Sequence, residues 1–287
     1  MRDFVIFTDS CADLTPEMYG ELGLRVMQLD VIVEGESPLP NDRVDIKEIY
    51  AKLRAKKSAS TAAVNIEKFL ETFTAAAEEG LDVLYLGFSS GLSSTFGAAA
   101  VAMDELRENY PNGKFFAVDT LCASMGQGLL VYHAVKMKER GASIEEVRDF
   151  VENNKLHLCH WFTVDDLFFL KRGGRVSAAT AVVGSLLNIK PVLHVDNAGK
   201  LINVSKARGR KASIDAMFNN MKNSMLPTGN EVVYISHGDC IDDAQYLANR
   251  VKTELGIPQV EINYVGPVIG SHSGPGTLAL FFFGNER

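Results

Sequence analysis

The stretch that decides the fold is Leu81–Phe96, LDVLYLGFSSGLSSTF. A short apolar run ends at Gly87. A loop with Ser89, Ser90, Ser93, Ser94 and Thr95 follows, and then GAAAVAMDELRENY, a run of good helix formers. An apolar run this short, bounded by glycine, reads as a strand. Strand, hydroxyl-rich loop and helix make one unit. Such a unit aims backbone N–H groups and side-chain hydroxyls at a helix N-terminus, where an anion is favoured. The loop is expected to bind something negatively charged or strongly polar.

The same alternation recurs on both sides. Phe4–Phe7, FVIF, predicts a strand buried on both faces, ending in Thr8-Asp9-Ser10. Thr15 before Pro16 predicts a helix N-cap with proline at the first helical position. Leu24–Val33 predicts a second strand, and the spacing of Ile46, Ile49, Tyr50 and Leu53 predicts a helix over Asp45–Lys56. SASTAAVN, with Ser58, Ser60 and Thr61, reads as a second hydroxyl-rich loop. IEKFLETFTAAAEEG reads as a helix closing at Gly80. Downstream, Lys114–Val118 is a strand ending in Asp119-Thr120, a helix closes at Gly141, and Ser143 and Glu146 have capping-box spacing. Strand alternating with helix predicts an α/β domain over residues 1–155 with a mostly parallel sheet flanked by helices. Ligands in such sheets sit beyond the carboxyl ends of the strands.

After about residue 155 the texture changes. HLCHWFTV is strand-like, and DDLFFLKRGGRVSAATAVVGSLLN reads as a helix broken at Gly173-Gly174 and then resumed. KPVLHVDNAGKLINVSKAR reads as a hairpin, and SIDAMFNNMKNSML as a helix. EVVYISHGD and DDAQYLANRVKTELG follow as strand and helix. QVEINYVGPVIGSHSGPGTLALFFFG reads as two strands around a glycine-rich turn. Residues 156–287 are therefore expected to form an α+β domain with a mixed or antiparallel sheet.

Composition narrows the function. The 287 residues carry net charge −7, from 29 Lys plus Arg against 36 Asp plus Glu. That balance disfavours nucleic acid as a main partner. Cys11, Cys122, Cys159 and Cys240 form no CxxC pair and read as free thiols in a reducing compartment. The apolar run near the N-terminus is too short for a signal peptide, and no run approaches a membrane span, so a cytoplasmic protein without stable membrane insertion is expected.

Six stretches bear on chemistry. GFSSG, Gly87–Gly91, fits the nucleophile-elbow pattern, with Ser89 as nucleophile and His272 as base; a serine hydrolase or esterase is the alternative function. Passive helix capping and ligand binding by these hydroxyls is the simpler reading. GPVIGSHSGPGT, Gly266–Thr277, sets His272 in a backbone of defined shape, where imidazole can bond a carboxylate. KRGGRVS, Lys171–Ser177, and KARGRK, Lys206–Lys211, are the two basic patches; they suit an anion or a partner surface. In HLCH, His157 and Cys159 fall on one strand face and His160 on the other, so no metal site is expected. Asp9 lacks the second carboxylate of phosphoaspartyl chemistry, and no G-x-x-x-x-G-K-[ST] loop is present, so ATP binding by this chain is not expected.

FTDSCADLT, the SAST loop, SSGLSSTF, VDT with Gly126 and Gly128, LKRGGRVS and IGSHSGPGTLAL together resemble the DegV family, in order along the whole chain. These are bacterial fatty-acid-binding proteins that serve as carrier subunits of fatty acid kinase. The resemblance implies a two-domain protein holding one long-chain fatty acid in a buried tunnel, with no cofactor and no catalysis of its own. A separate ATP-dependent kinase subunit would phosphorylate the carboxylate to an acyl phosphate. By motif match, the head group meets Ser93, with Ser94 beside it, and Thr61 or Ser60; His272 lies close, framed by Gly270 and Ser271. The family's second loop usually reads Thr-Ser and then Gln-Pro-Ser, whereas here the hydroxyl pair is reversed and the proline is absent. Arg172, Arg175 and Lys206 are candidates for docking the kinase subunit.

Overall fold

The computed structural model describes residues 3–177 and 188–287. Its first elements are β1 (Phe4–Asp9), α1 (Pro16–Glu21), β2 (Arg25–Met27), β3 (Asp30–Val33), β4 (Leu39–Pro40), α2 (Ile46–Arg54), β5 (Ala59–Ala62) and α3 (Ile66–Glu78). The Leu81–Phe96 unit follows as β6 (Asp82–Gly87), its loop and α4 (Thr95–Asn109), then β7 (Phe115–Asp119), α5 (Met125–Glu139) and α6 (Ile144–Asn154). The remainder is β8 (Leu158–Thr163), α7 (Leu167–Arg172), β9 (Ile189–Val195), β10 (Leu201–Arg208), α8 (Arg210–Ser224), β11 (Val232–His237), α9 (Ile241–Leu255), β12 (Gln259–Tyr264), α10 (Pro267–Ser273) and β13 (Leu278–Phe283).

The first sheet is wholly parallel, in the order β2-β1-β6-β7. Every residue of β1 and β6 is buried, as expected for parallel strands covered on both faces. One face packs against α3 and α4 through Phe69, Phe73, Ala99 and Met103; the other packs against α5 and α6 through Leu129, Leu130 and Val147. On α3, Phe69, Phe73, Ala76 and Ala77 recur at helical spacing, and the Asn65 side chain accepts the Lys68 N–H at 2.8 Å to start the helix. Both halves of the Ser143–Glu146 capping box form.

The C-terminal sheet is mixed, in the order β10-β9-β8-β13-β11-β12; the β11–β12 pair is parallel and the others are antiparallel. Alternation along its strands gives it two apolar faces. Leu158, Phe162, Tyr234 and Phe281 join the core around α5, while Val233, Ile235, Leu280 and Phe282 pack under α8 and α9. Helix α5 is thus shared between the two sheets.

Three local expectations need correction. Leu24–Val33 is not one strand: β2 joins the parallel sheet, and β3 pairs antiparallel with β4 and β5. The ladder breaks at Leu29, whose N–H goes to Ser10 Oγ (3.1 Å) and whose carbonyl accepts the Asn41 N–H (2.9 Å). The SAST segment is a strand rather than a loop, because β3 takes up its backbone groups, with Val31 opposite Thr61 and Ile32 opposite Ser60. Its hydroxyls say nothing about that partner. The glycine-rich turn expected over Gly266–Thr277 contains α10, with Pro267 at its first position and Gly274 just past its end. The helix expected to resume after Gly173-Gly174 falls mostly outside the described residues.

Candidate functional site

Residues that follow β6 and β7 face α10 and the inner face of the mixed sheet across a partly open cavity. It holds about 740 Å³ of space not filled by protein atoms, a figure that includes space open to solvent. The wall is largely apolar, built by side chains such as Leu92, Phe162, Leu170, Val268, Ile269 and Phe281.

One polar group in this wall comes from four separated segments. Thr61 on β5 and His272 on α10 join through a 2.8 Å contact between Thr61 Oγ1 and His272 Nε2. Ser93 lies at the end of the opening loop. Its Oγ pairs with Thr95 Oγ1 at 2.9 Å and accepts the Thr95 N–H at 3.2 Å, so it holds the start of α4. Arg175, just after α7, is half-buried; Nε donates to the Leu92 carbonyl (3.2 Å) and Nη1 to the Gly173 carbonyl. Burial, then the positive charges of Arg175 and Arg172, hold His272 down at about 4. The imidazole is therefore neutral at pH 7. In the tautomer where Nε2–H donates to Thr61, the threonine hydroxyl keeps its own proton to give to an anion. Arg175 supplies the positive charge. Hydroxyl donors and one positive charge thus stand together in an otherwise apolar wall, an arrangement that suits an anion.

The glycines of KRGGRVS are part of this geometry. A Cβ on Gly173 would stand 2.4 Å from His272 Nδ1, so only glycine lets the end of α7 lie against the imidazole. Arg175 therefore belongs to the cavity wall, whereas Arg172 is exposed over the Phe169 ring at 4.9 Å and Lys206 is exposed on β10. Of the two hydroxyls left open by sequence, Thr61 faces the cavity and Ser60 is exposed on the other face of β5. Ser94 is exposed. Gly270 is packed against Tyr50, and the buried Ser271 donates to the Pro267 carbonyl at 2.7 Å; neither lines the cavity.

Ser89 and His272 are not joined. The fully buried Ser89 hydroxyl donates to the Gly199 carbonyl at 2.8 Å and accepts the Gly91 N–H at 3.1 Å, tying the loop to the β9–β10 turn. His160 has both nitrogens occupied, one by the Leu158 carbonyl (3.0 Å) and one by the Ala123 N–H (3.1 Å). Asp9 serves structure at the end of β1: it accepts Cys11 N–H (3.0 Å), Tyr85 Oη–H (2.7 Å) and Phe88 N–H (2.8 Å), while burial raises its carboxyl. Sequence reasoning missed Ser124, Ser236 and Ser273, which also line the cavity. For Ser273 a signal existed: Ile269, His272 and Ser273 share one face of a helix by their spacing.

The DegV family model matches residues 3–285. The chain belongs to the DegV family. A DegV domain-containing protein of Clostridium perfringens is 43% identical over 289 residues, covering 100% of this chain and 99% of the relative. A solved fatty-acid-binding DegV family protein from Thermus thermophilus is 32% identical, with a TM-score of 0.87 over 99% of this chain and 100% of that one. A DegV lipid-binding protein from Thermotoga maritima is 29% identical, with a TM-score of 0.84 over 99% of both chains. DegV of Bacillus subtilis, a fatty-acid-binding protein, is 25% identical, with a TM-score of 0.85 over 99% of this chain and 100% of that one. DegV relatives that bind fatty acids thus share this fold, with its parallel first sheet and mixed second sheet. Among the described residues no helix is long and apolar enough to cross a membrane.

Proposed function

We propose that this chain is a cytoplasmic carrier that binds one long-chain fatty acid in this cavity and presents its carboxylate to a separate ATP-dependent kinase subunit. The observation that carries the reading is an apolar chamber with Thr61, Ser93, Arg175 and His272 in its wall. The fatty acids bound by DegV relatives of the same fold support it. Burying a methylene is worth about 0.8 kcal/mol, so a chain of about 14 contributes on the order of 10 kcal/mol before entropic costs. A carboxylate buried bare would cancel much of that, and the hydroxyls with Arg175 provide its hydrogen bonds. In the kinase complex a carboxylate oxygen would attack the terminal phosphorus of ATP, forming the acyl phosphate and releasing ADP. Catalysis would belong to the partner, with no cofactor on this chain. Residues 1–155 and 156–287 would act as two units closing on the ligand. Exposed Arg172 and Lys206 remain the docking candidates for the kinase.

Native mass spectrometry of protein purified from a bacterial host is expected to show one bound acyl chain, exchangeable for palmitate or oleate. Protein that arrives empty and takes up neither would sink the proposal. The kinase step is tested by acyl-phosphate formation with kinase and ATP, which should fail without the carrier.

A further inference from the structure

The cavity has a second polar region for which the carboxylate site leaves no task. Ser236, fully buried, projects from β11 into the chamber, and its hydroxyl lies 3.0 Å from that of Ser124. The Ser124 hydroxyl in turn donates to Asp13 Oδ2 at 2.5 Å, and Asp13 is buried behind the wall. Ser273, at the end of α10, is 4% exposed; it lines the same cavity, and its Oγ has no hydrogen-bond partner among the described residues. The turn after Ser273 is sewn to the end of β11: Gly276 N–H donates to the Gly238 carbonyl, and Gly238 N–H to the Thr277 carbonyl. Both hydroxyl groups thus approach the chamber from the β11 side.

Three physical points say that these serines are for a ligand. A hydroxyl buried without a partner costs about 1–3 kcal/mol, and alanine would avoid that cost at Ser273. Ser124 holds φ 53 and ψ −148, a backbone conformation that normally favours glycine, yet the residue keeps a side chain, and that side chain is the link between Asp13 and Ser236. The third point is charge. Whenever Asp13 behind it is ionised, this region repels a carboxylate, which Arg175 in the same wall attracts. A neutral group that both donates and accepts suits it.

We propose that Ser236, with Ser124 and Asp13 behind it and Ser273 nearby, forms a subsite for a hydroxyl group carried on the acyl chain, so that the cavity selects hydroxylated fatty acids. This rests on the fatty-acid reading above and names the ligand class more closely. An alcohol answers either polarity of the relay. When Asp13 is ionised, Ser124 donates to it, Ser236 donates to Ser124, and Ser236 is left to accept the ligand's proton. When Asp13 is protonated the chain can reverse, and Ser236 donates. Burial, against the hydrogen bonds of Ser124 and Gly266, pushes the Asp13 carboxyl up to about 7, so both states occur near neutrality.

The test is competition, read by native mass spectrometry, between stearate and a panel of positional hydroxystearates on the intact protein. At least one isomer should bind about fivefold more tightly than stearate, the worth of one buried hydrogen bond. The ratio for that isomer should shrink towards one in Ser236→Ala and, independently, in Ser273→Ala, so a folding defect in one variant leaves the other to report. If no isomer beats stearate, the serines hold only water and the proposal is overturned. A preference that survives in both variants also overturns it. If stearate and hydroxystearates alike fail to bind, the fatty-acid reading itself falls and takes this inference with it.

Discussion

Replacing Arg175 with glutamine separates the charge in the cavity wall from the packing around it. The guanidinium is half-buried and anchored by the Leu92 and Gly173 carbonyls. Glutamine can keep one of these bonds while removing the charge. A hydrogen bond to a charged group contributes about 1.5–3 kcal/mol, and partial solvent exposure argues for the lower half of that range. Palmitate affinity should therefore fall roughly 10- to 40-fold in Arg175→Gln. The assay is displacement of a fluorescent acyl probe at pH 7, run in parallel with methyl palmitate, which has no charge for Arg175 to meet. The ester should lose less than about threefold. A second readout comes from His272, held at about 4 by burial and then by the charges of Arg175 and Arg172. Without Arg175 its pKa should rise, as followed by NMR of the imidazole. In the unmodified protein, a bound carboxylate should raise it as well. Equal loss of acid and ester in the variant would show that Arg175 acts through packing, and the carboxylate reasoning would fail.

Thr61→Val should weaken palmitate binding by about 3- to 10-fold and more than Ser60→Ala does, since only Thr61 faces the cavity; the reverse order in the same displacement assay would contradict the strand register. Asp13, with its carboxyl pushed from 3.8 to about 7, costs the fold stability as pH rises between those values, because the native state holds a proton that the unfolded chain has released. The melting temperature of Asp13→Asn relative to the parent should therefore climb from pH 4 to pH 7 and level off above, and a difference independent of pH would refute this. Gly91→Ala would drive a Cβ to 2.6 Å from the Ala198 carbonyl oxygen, and backbone there cannot easily give way. Thermal unfolding should show a loss of about 1–3 kcal/mol, and an unchanged melting temperature would mean that the β9–β10 turn is free to move.

Local chemistry was enough to read much of this molecule. FVIF reads as a strand covered on both faces, because a continuous apolar run of that length needs burial on both, and it lies beside the Asp82–Gly87 strand in the parallel sheet. Thr15 and the Ser143–Glu146 pair start helices through bonds to residues three positions away, so they are legible without any tertiary contact. The change from a parallel to a mixed sheet after residue 155 was also visible, in the loss of regular strand–helix alternation. What depended on distant partners was not. The SAST segment is a strand only because β3 lies beside it, and that pairing alone sends Thr61 inward and Ser60 out. Ser89 carries a nucleophile's motif but spends its hydroxyl on Gly199, 110 residues away in sequence. Arg175 sits in the cavity wall and not on an open basic patch because Gly173 lets the end of α7 close against His272. The serine relay to Asp13 links residues 111 and 112 positions apart, a juxtaposition that neither spacing nor composition encodes. Periodicity and caps are set by near neighbours along the chain, whereas the walls of a cavity are set by which strands pair and which helices cross.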